Sequence, residues 1–265
     1  MLAKPMWWSS CATTLTNCAV VCAGSTDMKM AGPSASKFTK LFERGLAYPC
    51  VCTRAEIAAS QSAPHADARE IRYPGTCRGR FATLEEAERK SGRAPAVRLR
   101  VEPGMVRIED GFAGTFPFDV SDEVGDFPVA RRAGAAAYQL AVVVDDALAG
   151  VTEVVRGDDL LPSAARQLLI QRALGLPHPR WFHVPLVVDE GGRRLAKRTD
   201  ALALHRLRAS GVDAARVVAW IARRSGIEVG TRATARECAA SFDFARVPHT
   251  PVVCGPREHA ELGLP

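Results

Sequence analysis

Three cysteines fall close together early in the chain, Cys50 and Cys52 with one residue between them and Cys77 beyond. Zinc takes four soft or borderline ligands in a tetrahedron, so three thiolates at this spacing can begin a metal site. The plain alternative is three buried thiols packed as small hydrophobes. Further on, the turn Asp189-Glu190-Gly191-Gly192 leads into Arg193-Arg194-Leu195-Ala196-Lys197-Arg198, four cations in six residues. A turn needs no such charge for its own geometry, and clustered cations suit an anionic ligand such as phosphate; a solvated cationic loop is the competing reading. Arg156, just ahead of Gly157-Asp158-Asp159, has the planar fork that grips a carboxylate with paired hydrogen bonds, or it pairs with one of the acids that follow it. Those acids and Asp145-Asp146 could hold Mg2+ as in a nucleotidyl transferase. Paired acids at element ends serve equally as turn formers and arginine partners, so that signal is weak.

The elements that must position these groups can be read from the apolar pattern. Gln139 to Val144 and Val151 to Val155 are continuous, β-branched runs, expected as strands buried on both faces of a largely parallel sheet. Ligands bind such sheets at the carboxyl ends of the strands, where Arg156 to Asp159 stand. Pro162 and Ser163 then open a helix through about Leu174, closed by Gly175. Trp181 to Val188 is a third apolar run, delivering the chain to the cationic loop. Earlier, KFTKLFERG puts Phe38, Leu41 and Phe42 on one helical face, stopped by Gly45. Thr53 with Glu56, and Thr83 with Glu86, have capping-box spacing. Ala96 to Val101 and Met105 to Glu109 alternate apolar with charged residues and are expected to form a hairpin through Pro103-Gly104. Asp213 should cap a helix to about Arg224, with Val217, Trp220 and Ile221 on its apolar face.

In order and spacing, AYQLAVVVDD, GVTEVVRGDDLL, HVPLV and RLAKR resemble the second half of the catalytic domain of class I glutamyl-tRNA synthetases. Within that class the chain is most similar to the short glutamyl-queuosine tRNA(Asp) synthetase family, which loads glutamate onto a modified base of the tRNA and not onto its 3′ end. The resemblance spans roughly residues 37 to 250. It implies an α/β fold: an incomplete Rossmann-type parallel sheet, an inserted zinc-binding α+β subdomain and a short helical C-terminal region. It divides the chain into an unmatched, disordered leader at 1–36, the zinc subdomain at 37–124, the second Rossmann half with its KMSKS-like loop at 125–204, and a basic helical region at 205–265. The implied roles are Lys197 as the catalytic cation, with Arg194 and Arg198 beside it for the ATP phosphates, and Tyr138 and Arg156 for glutamate. Tyr73 would complete a zinc site with Cys50, Cys52 and Cys77. Zn2+ would be the cofactor, ATP with Mg2+ the co-substrate, and glutamate and queuosine-bearing tRNA(Asp) the partners of a cytoplasmic monomer. Members of the family open with a Ser-Pro-Thr-Gly and HIGH-type segment that holds ATP; residues 1–36 carry none and no histidine precedes His65. The expectation is therefore that the chain as written exchanges no pyrophosphate. An inactive zinc-containing RNA-binding fragment and a truncated glutamyl-tRNA synthetase are the other readings, the latter disfavoured because only some sixty residues follow Lys197.

Composition sets the remaining bounds. The 265 residues carry a net charge of +6 and 47% hydrophobic side chains, a globular balance that favours a polyanionic partner. Eight cysteines at uneven spacing fit a reducing compartment better than a disulfide framework. No apolar run reaches the ~18 residues that a membrane span needs. Residues 198 to 236 hold eight arginines against Asp200, Asp213 and Glu228, where each arginine that meets a phosphate would add salt-sensitive affinity.

Overall fold

The computed structural model describes residues 33–60, 71–132, 135–195 and 203–264. The chain runs α1 (Pro33–Glu43), β1 (Ala47–Cys50), α2 (Arg54–Ala59), α3 (Leu84–Ser91), β2 (Ala96–Leu99), β3 (Val106–Asp110), β4 (Gly114–Phe118), α4 (Val120–Glu123) and β5 (Pro128–Ala130). It continues through α5 (Tyr138–Ala149), β6 (Glu153–Gly157), α6 (Leu161–Leu174), β7 (Arg180–Val184) and β8 (Val187–Val188). The last elements are α7 (Leu204–Ala209), α8 (Ala214–Arg224), α9 (Ala235–Ser241), β9 (Val252–Val253) and α10 (Pro256–Leu262). No helix among the described residues is long and apolar enough to cross a membrane.

Two sheets share one core. An antiparallel sheet in the order β1-β2-β5 stands beside a mixed sheet in the order β4-β3-β7-β6, whose β3-β7 and β7-β6 pairs are parallel. Leu41 of α1, Val97 and Leu99 of β2, Ile108 of β3, Leu140, Val143 and Val144 of α5, and Ile170 of α6 are all at most 3% exposed and pack into that core. Because the apolar face of each sheet and the stripe of each helix must be covered by another element, the helices α1, α5 and α6 close the gap between the sheets.

Several expectations are corrected. Gln139 to Val144 is not a strand but part of the helix α5, which ends on Gly150 in the left-handed conformation. Leu140, Val143 and Val144 recur at helical spacing and bury one face on α6 and α1, so packing overrides the strand preference of the valines. The run from Val151 to Val155 is realised as β6, displaced two residues toward the carboxyl end, and it is not buried on both faces: Val155 is 64% exposed. The hairpin through Pro103-Gly104 is absent, since β2 and β3 belong to different sheets. The hairpin is β3-β4 instead, because the Asp110 carboxylate accepts hydrogen bonds from the backbone of Phe112 and Ala113 and so fixes that turn. The sheets also exchange strands across residue 124: β3 lies in the mixed sheet and β5 completes the antiparallel one. The first helix begins at Pro33, so the limit placed at residue 36 falls inside it. The leader up to residue 32 lies outside the described residues.

The capping logic was legible. Thr53 and Glu56 form the capping box of α2, Asp213 caps α8, and Pro162 and Gly175 bound α6. At Thr83 only half of the motif forms: the hydroxyl caps α3, but the Glu86 carboxylate accepts from Ala82 and Lys90.

Candidate functional site

Three adjacent strands bring three polar side chains to their carboxyl ends. In the parallel β6-β7 register Arg156 stands opposite His183, and in the β3-β7 register Asp110 stands opposite Trp181, two residues before His183 on the same face. Asp110 accepts hydrogen bonds from the His183 backbone at 3.0 Å and meets His183 Nδ1 at 2.6 Å. Both side chains are fully buried. Arg156 donates from Nε to His183 Nε2 at 2.9 Å, from one terminal nitrogen to Gln167 at 3.0 Å, and from the other to the Leu160 carbonyl at 3.3 Å.

Direction along this chain is fixed by chemistry, because a guanidinium only donates. His183 Nε2 must therefore be the accepting nitrogen, Nδ1 carries the proton, and that proton is given to Asp110. Gln167 likewise accepts from Arg156 with its oxygen and donates with its amide to Gln139, which donates to Ser163. Burial, and then the charge of Arg156, hold the imidazole below its ordinary value against the pull of Asp110. Burial alone would push the Asp110 carboxyl up, yet the hydrogen bonds from Ala113, His183 and Phe112 hold it below the usual range. Arg156 is itself lowered by burial. One N–H on each terminal nitrogen is left after these bonds, a fork suited to a carboxylate.

Tyr138 opens α5, half exposed, within electrostatic range of Arg156, as are the carboxylates of Asp146 and Asp159. The two residues expected at the glutamate site thus share one neighbourhood. Arg194 pairs with Asp159, and both line a cleft of about 530 Å³ with Phe116, Asp158, Leu186 and Gly192. Lys197 and Arg198 lie outside the described residues. Asp145 and Asp146 lie within α5, toward its carboxyl end, and gather no metal-ligand cluster: among the described residues only Cys50, Cys52 and Cys77 do so.

At that second centre β1 supplies Cys50, the loop after it Cys52, and the turn following Tyr73 supplies Cys77. The three sulfurs lie within 4.8 Å of one another, and the Tyr73 hydroxyl is 3.4 Å from Cys50 Sγ and 3.8 Å from Cys52 Sγ. Four ligands about 2.3 Å from zinc are about 3.8 Å apart in a tetrahedron, and the separations of 3.4 to 3.8 Å among Cys50, Cys52, Cys77 and Tyr73 are of that size. Arg98 lays its guanidinium 3.8 Å from the centre of the Tyr73 ring and donates to Cys50 Sγ at 3.2 Å, a cation set against an anionic ligand shell. Burial first, and the charge of Cys50 after it, push the Cys52 thiol up to about 12. Burial also raises the Tyr73 hydroxyl. Burial raises the Cys77 thiol too, but hydrogen bonds from the Val51 backbone, Tyr73, Cys52 and Cys50 outweigh it and hold that thiol below its ordinary value; a bound metal would displace the protons that Cys52 and Tyr73 hold in its absence. Behind the site Asp126, 4% exposed, accepts from Tyr48, from two nitrogens of Arg78 at 3.0 and 2.8 Å, and from the Val101 backbone.

Sequence reading missed Asp110, Gln139, Gln167, Arg98 and Asp126. His183 stood inside the HVPLV segment without a role. The basic C-terminal region is also less free than its composition implies. Arg224 reaches Glu258 and Glu261, Arg223 reaches Glu261 and the Gly230 carbonyl, and Arg232 pairs with Asp213.

Parallel strands with polar side chains at their carboxyl ends, a cysteine cluster ahead of them in the chain and a cationic stretch of sequence after the last of them agree with the catalytic domain of a class I synthetase. The family of class I tRNA synthetases (E and Q), catalytic domain, matches residues 35–254, and the chain belongs to it. Among its relatives, the glutamyl-Q tRNA(Asp) synthetases of Nitratidesulfovibrio vulgaris and Nocardia farcinica are 43% and 44% identical over 213 and 214 residues, 79% and 80% of this chain. The chain spans 65% and 66% of the length of these two relatives. The crystal structure of the glutamate-tRNA synthetase of Elizabethkingia anophelis shares the fold with a TM-score of 0.67 at 19% identity, covering 85% of this chain and 51% of that one.

Proposed function

We propose that the chain serves an ATP-dependent ligase that activates glutamate as its adenylate and transfers it to queuosine in tRNA(Asp). The observation that carries this reading is Arg156, fixed at the end of β6 by three hydrogen bonds that leave one N–H on each terminal nitrogen, with Tyr138 in electrostatic range. A fixed fork of this kind selects a carboxylate by geometry as well as charge. Its neutral neighbour His183 leaves the positive charge of Arg156 available to the ligand. The other carboxylate of glutamate reacts with ATP, and the charge that builds on the departing pyrophosphate calls for cations held beside it. Lys197 is assigned that role, with Arg194 and Arg198 raising the local potential. Arg194 must leave Asp159 to do so. Zinc, held by Cys50, Cys52, Cys77 and Tyr73, would supply structural rigidity to the insertion and no chemistry to the reaction. The acceptor for the tRNA step, queuosine in tRNA(Asp), which takes the glutamyl group as AMP leaves, is proposed from the names of the relatives.

The test is transfer of labelled glutamate to tRNA(Asp) with and without queuosine, using the chain with residues 1–36 replaced by a family-like first half that carries the HIGH-type segment. Labelling of the queuosine-bearing tRNA alone, lost on Lys197→Ala, is the expected result. Labelling of neither tRNA, or of both equally, contradicts the proposal.

A further inference from the structure

We propose that His183 and Asp110 are positioning residues for amino-acid recognition, holding Arg156 so that the N–H left on each terminal nitrogen meets a carboxylate. The inference rests on the reading of this site as a glutamate site and adds to it two residues that touch no substrate. Three observations carry it. The Arg156-His183 contact is a cross-strand pair, so its geometry is set by the backbone register of β6 and β7 and not by a flexible loop. The imidazole is 1% exposed, and water cannot replace it as the acceptor for Arg156 Nε. Asp110 is itself tied by three backbone N–H groups, from Phe112, Ala113 and His183, and accepts the Nδ1 proton, which makes Nε2 the acceptor.

The arrangement matters because Arg156 has competing partners. Asp146 and Asp159 both act on its charge. Without an acceptor behind it the guanidinium can turn toward them, and the fork is lost although the arginine remains. The other tautomer of His183 would set a second donor against Arg156 Nε, with the same result. Fixing the fork also fixes how far from the reacting end a carboxylate can be gripped. The network should therefore sharpen the choice of glutamate over aspartate, which is shorter by one methylene.

Two measurements on the full chain test this. Nitrogen NMR of the labelled wild-type protein at neutral pH should show His183 with Nδ1 protonated and Nε2 bare; a bare Nδ1, or an imidazolium, overturns the proposal. Calorimetric binding of L-glutamate and L-aspartate should then show His183→Leu weaker for glutamate by about 10- to 100-fold, the usual cost of an unmade hydrogen bond to a charged group. Its preference for glutamate over aspartate should shrink as well. His183→Gln, whose side-chain oxygen can stand where Nε2 stood, should bind glutamate within about threefold of wild type by the same bookkeeping. Binding by His183→Leu equal to wild type overturns the proposal, and so does a loss in His183→Gln as large as in His183→Leu. If the leucine variant does not fold, the glutamine variant and the NMR assignment decide. A wild-type chain that shows the stated tautomer but binds no glutamate contradicts the proposed function instead, so the two failures are distinct.

Discussion

At the scale of single residues, the site is a set of donors and acceptors whose directions are forced. His183 is neutral because it is buried and faces Arg156, and its proton affinity is lower in the folded chain than in the unfolded one. The unfolded state then binds more protons below the ordinary value of 6.5, so stability is complete above that value and falls as the pH drops through it. Asp110, held below its usual range, adds a further loss below 3.8. His183→Gln should flatten the first of these slopes and keep the part of the second that the backbone donors to Asp110 maintain, as read from urea midpoints measured against pH. Arg156 stood out locally as a basic residue at a strand end followed by Gly157-Asp158-Asp159, but its assignment to glutamate came from resemblance. Asp110 and His183 were not, since 73 residues separate them and only the β3-β7 pairing brings them together. The proposed zinc ligands sit between these cases. Cys50-x-Cys52 is local, but the role of Tyr73 came from resemblance, and Arg98 had no signal at all. The purified chain should carry about one zinc, by the four-ligand rule, and lose it on Cys77→Ser. Because the ligands must be deprotonated to bind the metal, retention should weaken as the pH falls. Elemental analysis of freshly purified protein checks both, and folded protein without metal would contradict them.

At the scale of elements, α5 shows where local preference loses to packing. Three consecutive valines, Val142 to Val144, favour a strand, and the residues that decide the matter, Leu140, Val143 and Val144, do so only because α1 and α6 are present to cover them. The misplaced hairpin has a similar origin: the alternation in β2 and β3 was real, but alternation does not say which partner a strand will take. The caps at Thr53, Asp213 and Gly175 were read correctly because each depends on its own few residues. The turn that carries Cys77 is pinned by Gly125, whose backbone has φ of 70° and on which a methyl group would strike the Tyr73 carbonyl oxygen. Gly125→Ala should therefore destabilise the chain by about 2 kcal/mol or more, combining left-handed strain with the clash. Denaturant unfolding measures this, and zinc release at lower denaturant than in wild type should accompany it. A variant as stable as wild type would show that Tyr73 can move without consequence.

At the scale of the whole molecule, charge is distributed differently from what composition implies. The arginines of α8 face α10, where Arg223 and Arg224 meet Glu258 and Glu261, so part of the basic region is neutralised internally. Arg224→Ala should cost about 1 kcal/mol of stability, as for a partly exposed ion-pair network. It should leave the salt dependence of tRNA binding unchanged, where an arginine on a phosphate would reduce the slope by about one ion. Anisotropy titrations across salt concentrations decide between the two. The central claim is that the parallel strand ends form a carboxylate site built on Arg156. Its most direct test is calorimetric binding of L-glutamate to the chain and to Arg156→Met, which keeps much of the length and loses the fork. Saturable binding by the wild type that disappears in the variant, while both unfold at similar denaturant concentration, is the result expected. Equal binding by the two chains would contradict the claim.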